Sequence, residues 1–455
     1  MKRKKPNILM ILWHDVGDHL GCYNYPGVRT PSVDRIAREG IALDNYYAAC
    51  PICGPSRAAT MTGLLPHQNG VFGQVGRGWD MRRDIVPLPQ HLKRAGYTTA
   101  LLGICQEAQD PKWLGYDTVI HEPDETHAEH VGRLLAQNRE AESPFFIYVA
   151  TTGVHRPNGD TYDQEVYEEL ELPAYLPDTK ATRKDMACFY RHVEETDAFV
   201  GDMLDVLDQN GLAEDTLVIF TTDHGPPYPR SKATQYDAGL KIALAARWPG
   251  RLESGTRSDA FLSNTDFMPT LLDLVGVDLP GSDKLYGRSF AHLLNGTGKA
   301  GQGRDEFIAE HTYAAIYSPQ RSIRTDRYKF IINFEPRSAC QAECGFCYRV
   351  GFEQIAEYYS GPVPEEELYD LEADPNEFCN LALSPRHGAI RRSLRQRLMR
   401  VLRDTDDPIL KGPIADPSGD HTPFRTLDHM WIRDEDGNLT YDIPPQSEVP
   451  HAWNP

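Results

Sequence analysis

The chain has 455 residues, of which 40% are apolar and 10% aromatic, and its formal net charge is −19 at pH 7. A chain of this length suits one large domain that carries a smaller one, or two domains. The acidic balance argues against a nucleic-acid or acidic-membrane partner, because phosphate groups attract basic surfaces. We therefore expect no nucleic-acid and no membrane partner, and the composition leaves the oligomeric state open.

The amino-terminal segment and the cysteines indicate the compartment. The first apolar run, residues 8–13, is much shorter than a bilayer span, and no small-residue cleavage site follows it. The nine cysteines are an odd number without a secretory signal, which is typical of reduced thiols rather than of a disulfide framework. These features predict a cytoplasmic protein.

Up to residue 300, strand-like and helix-like segments alternate. Buried-strand patterns occur at residues 6–13, 41–48, 98–103, 144–152 and 216–225, and helical patterns occur at 30–40, after Cys53, at 87–96 and at 183–209. Strands that alternate with helices favour a parallel sheet covered by helices on both faces. We predict an α/β fold over residues 1–300, with a doubly wound, mostly parallel sheet sandwiched by helices.

The pattern changes after residue 300. A strand-like run at 323–334 is followed by acidic turns, by a helix at 386–404 and by a tail from residue 408 that is rich in Pro, Asp and Gly. This order predicts a smaller α+β subdomain over residues 301–455, with a small antiparallel sheet, a helix and an extended tail.

Polar side chains follow three of the predicted strands, where each strand ends. His14 and Asp15 follow the first strand, His155 follows the run at 144–152, and Asp223 and His224 end the run at 216–225. One such pair could be a turn, since Asp is common there. Three of them gather at one sheet edge, where α/β proteins bind ligands, and carboxylates and imidazoles are metal ligands. The pattern predicts a metal or anion site.

One short segment carries a distinctive motif: residues 53–63 read CGPSRAATMTG. It resembles the signature C-x-P-S-R-x-x-x-x-T-G of type I sulfatases, members of the alkaline phosphatase superfamily. In that family a maturation enzyme oxidises the cysteine to formylglycine, and the hydrated aldehyde is the nucleophile. The resemblance assigns this role to Cys53 and not to Cys50, since only Cys53 has Pro and Arg at the second and fourth positions after it. The alternatives are a buried structural thiol and an unmodified, activated thiolate.

The resemblance implies roles for further residues of the chain. Arg57 would steady the nucleophile, Lys232 would bind the sulfate, and His155 would contact the sulfate or protonate the leaving group. The implied metal ligands are Asp15, Asp223, His224, Cys53 and His14. One divalent cation is implied, with Ca²⁺ expected first, while the imidazole ligands leave room for Mn²⁺, Zn²⁺ or iron. The diol at position 53 would offer one hydroxyl to attack sulfur and a second to expel sulfate.

Within that family, residues 66–73 (PHQNGVFG) and the helix before residue 216 most resemble the sulfamidase branch, the N-sulfoglucosamine sulfohydrolases. The resemblance implies an alkaline phosphatase-like fold and a sulfatase that hydrolyses a sulfate ester or sulfamate of a small carbohydrate. It also implies two partners, the sulfated substrate and a formylglycine-generating enzyme.

The chain departs from the family pattern at several positions. His14 and His224 stand where the family has Asp and Asn, Ile104 and Gln106 stand where it has Lys and His, and Thr152 stands for a histidine. These changes keep two alternatives open. One is a phosphonate monoester or phosphodiester hydrolase of the same superfamily, and the other is a degenerate protein that binds sulfated ligands without turnover.

Two further groups of residues are candidates. Substrate contacts are predicted for His67, Gln106, Glu310, His311 and Arg324. Surface ion pairs are the alternative for the arginine. The segment containing Cys340, Cys344 and Cys347 predicts either free thiols or a small zinc site with Cys379 or a histidine as the fourth ligand.

Overall fold

The structure is a computed structural model. It describes residues 5–141, 143–156, 161–279, 285–294, 303–314, 317–335, 363–417, 431–433 and 439–441. The cysteines at 340, 344 and 347, for which a zinc site is the alternative to free thiols, lie outside the described residues. The division of the chain at residue 300 stays a prediction.

A large mixed sheet forms the centre of the molecule. Its strands are β1 (Asn7–Trp13), β2 (Ile41–Tyr47), β3 (Thr98–Gly103), β4 (Thr118–Ile120), β5 (Phe145–Ala150), β6 (Thr216–Thr222), β7 (Lys241–Ile242), β8 (Leu244–Arg247) and β9 (Thr256–Ser263). Their order is β4-β3-β5-β1-β6-β8-β2-β7, with β9 paired to β2. The first five strands in this order run parallel, whereas β8 runs antiparallel to β6 and to β2, and β7 antiparallel to β2. The prediction of a mostly parallel sheet is confirmed.

Helices cover both faces of this sheet. They are α1 (Pro31–Arg38), α2 (Cys53–Thr62), α3 (Pro66–Asn69), α4 (Leu88–Arg94), α5 (His127–Ala141), α6 (Gln164–Glu169), α7 (Lys180–Gln209), α8 (Asp237–Leu240), α9 (Phe267–Leu274) and α10 (Ala291–Leu294). Successive side chains of a strand point to opposite faces. Accordingly Leu9 and Ile11 of β1 pack with α1, α5 and α7, while Ile8 and Met10 pack with α2, α4 and α9.

A second, antiparallel sheet lies toward the carboxyl terminus. Its strands, in order, are β10 (Glu306–Tyr313), β11 (Tyr317–Thr325), β12 (Tyr328–Asn333) and β13 (Glu366–Asp370), followed by the helix α11 (Gly388–Asp404) and the short hairpin β14 (Trp431–Arg433) and β15 (Leu439–Tyr441). Apolar side chains of α11, β10, β11 and β12 pack together with Ala59 of α2 and Leu65. The smaller sheet is therefore packed directly against α2, the helix that begins at Cys53.

Two element predictions need correction. The run at 323–334 is not one strand but parts of two, because the chain turns between Thr325 and Tyr328, where the Thr325 hydroxyl accepts from the Tyr328 amide at 2.9 Å. Residues 325–327 are Thr, Asp and Arg, so the apolar pattern is interrupted at the turn, and the prediction of one continuous run overlooked this break. The long helix begins at Lys180 rather than 183, since the Thr179 side chain caps the amide of Thr182.

Two further observations concern the cysteines and the helices. None of the six cysteines that the structure describes forms a disulfide with another of them. None of the described helices combines the length and the apolar character that crossing a lipid bilayer requires.

Candidate active site

The predicted polar clusters meet because β1 lies between β5 and β6. The registers place Leu12 beside Ala150 and Trp13 beside Thr222, so the three strands end at the same edge. The residues that follow them are buried and in contact: the Asp15 amide donates to Asp223 Oδ1 at 3.0 Å. Asp15 has a φ of 59°, an unusual left-handed conformation that Asp tolerates better than most residues.

Cys53 lies at the first turn of α2 and faces these strand ends. Its Sγ is 3.3 Å from Nε2 of His224. Pro55 is compatible with this first turn because its missing amide hydrogen has no partner within a helix there. The Ser56 hydroxyl donates to the carbonyl oxygen of Asp223 at 2.5 Å, which ties the start of the helix to the end of β6.

Arg57 lies four residues after Cys53, on the same helix face. Its Nε donates to Oδ2 of Asp223 at 3.0 Å, and both side chains are fully buried. Within the described part of the chain, its buried Nη1 and Nη2 have no hydrogen-bond partner. A buried guanidinium with unused donors is unfavourable unless an acceptor occupies the site, so this arginine is suited to hold an oxygen anion.

Two further basic side chains approach Asp15. Lys232 Nζ donates to Asp15 Oδ2 at 2.9 Å, and His155 Nε2 lies 3.9 Å from the same oxygen. The His155 Nδ1 donates to the carbonyl oxygen of Arg156 at 2.6 Å, which leaves Nε2 facing the cluster. The His155 side chain is 26% exposed, while those of Lys232 and Asp15 are 4% and 0% exposed, so His155 lies at the mouth of the site.

The charges in this cluster shift the pKa values of its members. Burial would raise the pKa of the Cys53 thiol, but the positive charges of His14, Lys232 and His224 hold it well below its usual value. Burial would lower the pKa of His14, but the negative charges of Asp15, Cys53 and Asp223 raise it to about 9. The arrangement therefore stabilises an anion at position 53.

The residues at the strand ends fit a divalent cation. Ligand atoms of His14, Cys53, Asp223 and His224 all lie within 4.8 Å of one another. His224 Nδ1 donates to the Gly225 carbonyl at 2.8 Å, so Nε2 is the nitrogen directed into the cluster. Metal-binding histidines are commonly oriented in this way, by a hydrogen bond from the ring nitrogen that does not bind the metal. Among the described residues, the buried Nε2 of His14 has no hydrogen-bond partner, so it is also available to a cation.

Three other residues that were predicted to contact substrate differ in their surroundings. The backbone carbonyl of Gln106 packs against the start of α2, where a Cβ on Gly54 would lie 2.8 Å from its oxygen. The side-chain Oε1 of Gln106 is buried and has no hydrogen-bond partner among the described residues. His311 donates through Nδ1 to the Ser318 carbonyl at 2.8 Å. Arg324 pairs with Asp237 at 2.8 Å. For His311 and Arg324 the structure shows internal contacts, and their substrate role stays a prediction.

His67 and Glu310 form a separate buried cluster with Asp407. His67 Nδ1 contacts the Glu310 carboxylate, and Asp407 Oδ2 lies 3.7 Å from the same nitrogen. Asp407 also accepts from Arg321 Nε at 2.6 Å. The contacts of this cluster join α3 to the smaller sheet and to the segment after α11. Its residues make no hydrogen bond or ion pair with the Cys53 cluster among those that the structure describes.

Sequence reasoning missed several residues around Cys53. Gln74 donates from Nε2 to Cys53 Sγ at 3.4 Å. Asn264 donates to the carbonyl oxygen of Ser56 at 3.0 Å and to Thr60 Oγ1 at 2.9 Å, which holds α2 in place. The only signal in the sequence was the motif at 53–63, which marks the helix but not the residues that contact it.

Comparisons with known proteins identify the family to which this sequence is related. A family model described as Sulfatase matches residues 6–277, and one described as N-sulphoglucosamine sulphohydrolase, C-terminal, matches residues 230–341. An ulvan-active sulfatase of Formosa agariphila is 30% identical, covering 91% of this chain and 84% of that protein. The human N-sulphoglucosamine sulphohydrolase is 28% identical, covering 90% of this chain and 93% of that protein.

The fold is also found among solved structures. A protein solved with its substrate D-glucosamine-2-N,6-O-disulfate superposes with a TM-score of 0.69 at 21% identity, covering 92% of this chain and all of that one. The likeness to the sulfamidase branch is confirmed by the second family model. The Sulfatase family model matches more than half of the residues of this chain, and the Formosa sulfatase is 30% identical to it. This chain therefore belongs to the sulfatase family of the alkaline phosphatase superfamily.

Proposed function

We propose that this protein hydrolyses a sulfate ester or sulfamate of a small carbohydrate, with residue 53, in its formylglycine form, as the nucleophile. The observation that carries the proposal is the meeting of Cys53 with two buried carboxylates and several cationic side chains from separate segments of the chain. Hydrolysis of a sulfate needs a strong nucleophile beside groups that neutralise charge on the sulfuryl oxygens.

A divalent cation completes the proposed site. Asp15, Asp223, His224 and His14 would hold it, together with the group at position 53. When bound, the cation supplies positive charge that acidifies the nucleophile and stabilises charge on the sulfuryl group. Ca²⁺ is expected first from the family, and Mn²⁺ is the main alternative because two of the ligands are imidazoles.

The remaining roles follow from the contacts of the side chains. Arg57 is anchored by Nε on Asp223, and its two unused Nη groups are available to an oxygen of the nucleophile or of the sulfate. Lys232 donates to Asp15 at 2.9 Å, and in the proposed site its ammonium group would bind a sulfuryl oxygen of the substrate. His155 lies at the mouth of the site, where a leaving oxygen or nitrogen departs, and it is suited to protonate that atom.

The carbohydrate part of the proposal is supported by the relatives. The Formosa protein is named for activity on ulvan, the human relative for N-sulphoglucosamine, and the structural neighbour for a disulfated glucosamine. The proposal names two partners, a small sulfated sugar and a formylglycine-generating enzyme.

The test starts with protein that is co-expressed with a formylglycine-generating enzyme. Peptide mass analysis should show loss of the thiol at Cys53, and a panel of O-sulfated and N-sulfated monosaccharides should show release of inorganic sulfate. Cys53→Ala should release none, and full activity of this variant would overturn the nucleophile assignment.

The same protein separates the alternatives. Faster hydrolysis of an aryl phosphonate monoester than of an aryl sulfate would favour the phosphonate or phosphodiester hydrolase. Binding of a sulfated sugar in calorimetry, with no sulfate release at any metal composition, would favour the degenerate binder.

A further inference from the structure

A neutral side chain contacts the nucleophile position alongside the charged ones. Gln74 Nε2 lies 3.4 Å from Cys53 Sγ, and the amide donates to sulfur. His224 Nε2 lies 3.3 Å from the same sulfur, and His224 is a candidate metal ligand. Gln74 itself is half-buried and uncharged.

The segment that carries Gln74 is held in place from two sides. Gly73 has no room for a side chain, because a Cβ there would lie 2.7 Å from Trp79 Nε1 and 2.8 Å from Tyr313 Cβ. The Tyr313 amide donates to the Phe72 carbonyl at 3.2 Å. The Trp79 ring packs against Phe72 and Tyr313, with centroids 5.3 and 5.2 Å apart. The amide of Gln74 is therefore aimed at position 53 by a tightly packed backbone.

An amide can donate a hydrogen bond without adding charge. The surroundings of Cys53 already contain several cations, and the positions that correspond to the usual lysine and histidine are Ile104 and Gln106 in this chain. An oxygen at position 53 would occupy the place of Sγ and would accept the same amide hydrogen. A hydroxyl accepts such a bond as readily as sulfur does, and at the usual N–H to oxygen distance.

We propose that Gln74 is a further catalytic residue of this site, whose amide donates a hydrogen bond to the hydroxyl of the hydrated aldehyde at residue 53. This inference rests on the proposed function and deepens it. The bond favours the hydrate over the free aldehyde and orients the attacking oxygen, and it does so with a neutral group. Substrate binding, which depends on the cation and on the basic residues, does not require it.

The test compares Gln74→Leu and Gln74→Glu with wild type, all matured to the same aldehyde content as measured by peptide mass. With 4-nitrophenyl sulfate as the probe, kcat should fall about 10- to 100-fold in Gln74→Leu while KM changes little. Gln74→Glu should lose more, because a carboxylate cannot donate and repels the developing anion. Gln209→Leu, at the exposed carboxyl end of α7 and near the start of β6 rather than its end, is the matched control and should keep wild-type values.

A second measurement does not depend on turnover. An aminooxy reagent forms an oxime with the free aldehyde but not with its hydrate. The rate of oxime formation therefore reports the fraction of residue 53 that is present as free aldehyde. Gln74→Leu should react about fivefold faster than wild type, as expected for the loss of one neutral hydrogen bond. Unchanged kcat and unchanged oxime rate in Gln74→Leu would overturn the inference. Absence of any aldehyde or sulfate release in wild type would instead overturn the proposed function.

Discussion

The Nε atom of Arg57 lies 3.0 Å from Oδ2 of Asp223, and both side chains are completely buried. This pair links α2, which begins at Cys53, to the end of β6, and among the described residues it leaves two guanidinium nitrogens without a partner. Because one end of the arginine is fixed, its other end is held ready for an oxygen anion beside residue 53.

Replacement of Arg57 by lysine should therefore abolish most activity. A lysine keeps the charge, but it lacks the planar guanidinium that donates to Asp223 from Nε and presents separate Nη donors to an oxygen anion. We expect kcat/KM for a sulfated sugar to fall about 10²- to 10³-fold in Arg57→Lys, measured by sulfate release at equal aldehyde content. Arg38→Lys, at an exposed position on α1, is the control. If Arg57→Lys kept a third of the wild-type rate, the separate Nε and Nη donors of the arginine would be shown to be unimportant for activity.

His155 should matter most for poor leaving groups. It is the partly exposed member of the cluster, and a general acid helps most when the departing atom is strongly basic. His155→Ala should slow hydrolysis of a sugar sulfate or sulfamate about 10²-fold or more, but that of 4-nitrophenyl sulfate less than about tenfold. Equal losses on both substrates would argue for a sulfate-binding role instead of proton donation.

Removal of divalent cations should inactivate the protein reversibly. After dialysis against a chelator, sulfate release should cease and should return when Ca²⁺ or Mn²⁺ is added, with elemental analysis reporting which ion is retained. Asp15→Asn should bind the ion more weakly, since a carboxylate at the centre of the cluster is lost. Asp18→Asn changes a nearby carboxylate that pairs with Lys241 and should retain the ion. Full activity of the chelated protein would contradict the metal assignment.

The His67 and Glu310 pair should make stability depend on pH. His67 Nδ1 faces the Glu310 carboxylate and Nε2 faces the Thr405 carbonyl at 3.1 Å, so both nitrogens are placed to donate. Burial opposes the charged form, but Glu310 and Asp407 raise the pKa of His67 above its ordinary 6.5. The stabilisation is therefore fully present below pH 6.5 and is lost as the pH rises through the raised pKa of the folded state.

Urea unfolding between pH 6 and pH 9 tests this linkage. The free energy of unfolding of wild type should exceed that of Glu310→Gln by about 2 kcal/mol near pH 6, and the difference should shrink toward pH 9. His67→Gln has no titrating group at this position and should lack this component of the pH dependence. A constant difference between wild type and Glu310→Gln would indicate that His67 stays neutral.

Much of the site was predictable because it depends on local pattern. The apolar run before His14 predicted β1, and the run before Asp223 predicted β6, so their polar ends were expected at one sheet edge. The motif around Cys53 and Arg57 predicted α2, the helix that carries the candidate nucleophile. Such features repeat over a few residues and need no knowledge of distant contacts.

Other features depended on packing between segments far apart in the chain. The substrate role of His67 stays a prediction, and its contact with Glu310, which is 243 positions away in the chain, was not foreseen. The periodicity of a sequence does not reveal a contact between residues so far apart in the chain.

Sequence pattern thus placed the chain in its fold class and marked Cys53 as the candidate nucleophile, because strand alternation, helix spacing and the motif are properties of short segments. The neighbours of Cys53 were set by chain folding. Gln74 reaches Cys53 because Gly73 is packed between Trp79 and Tyr313. Contacts of this kind arise from close packing of side chains, which depends on the whole molecule and not on any one stretch of residues.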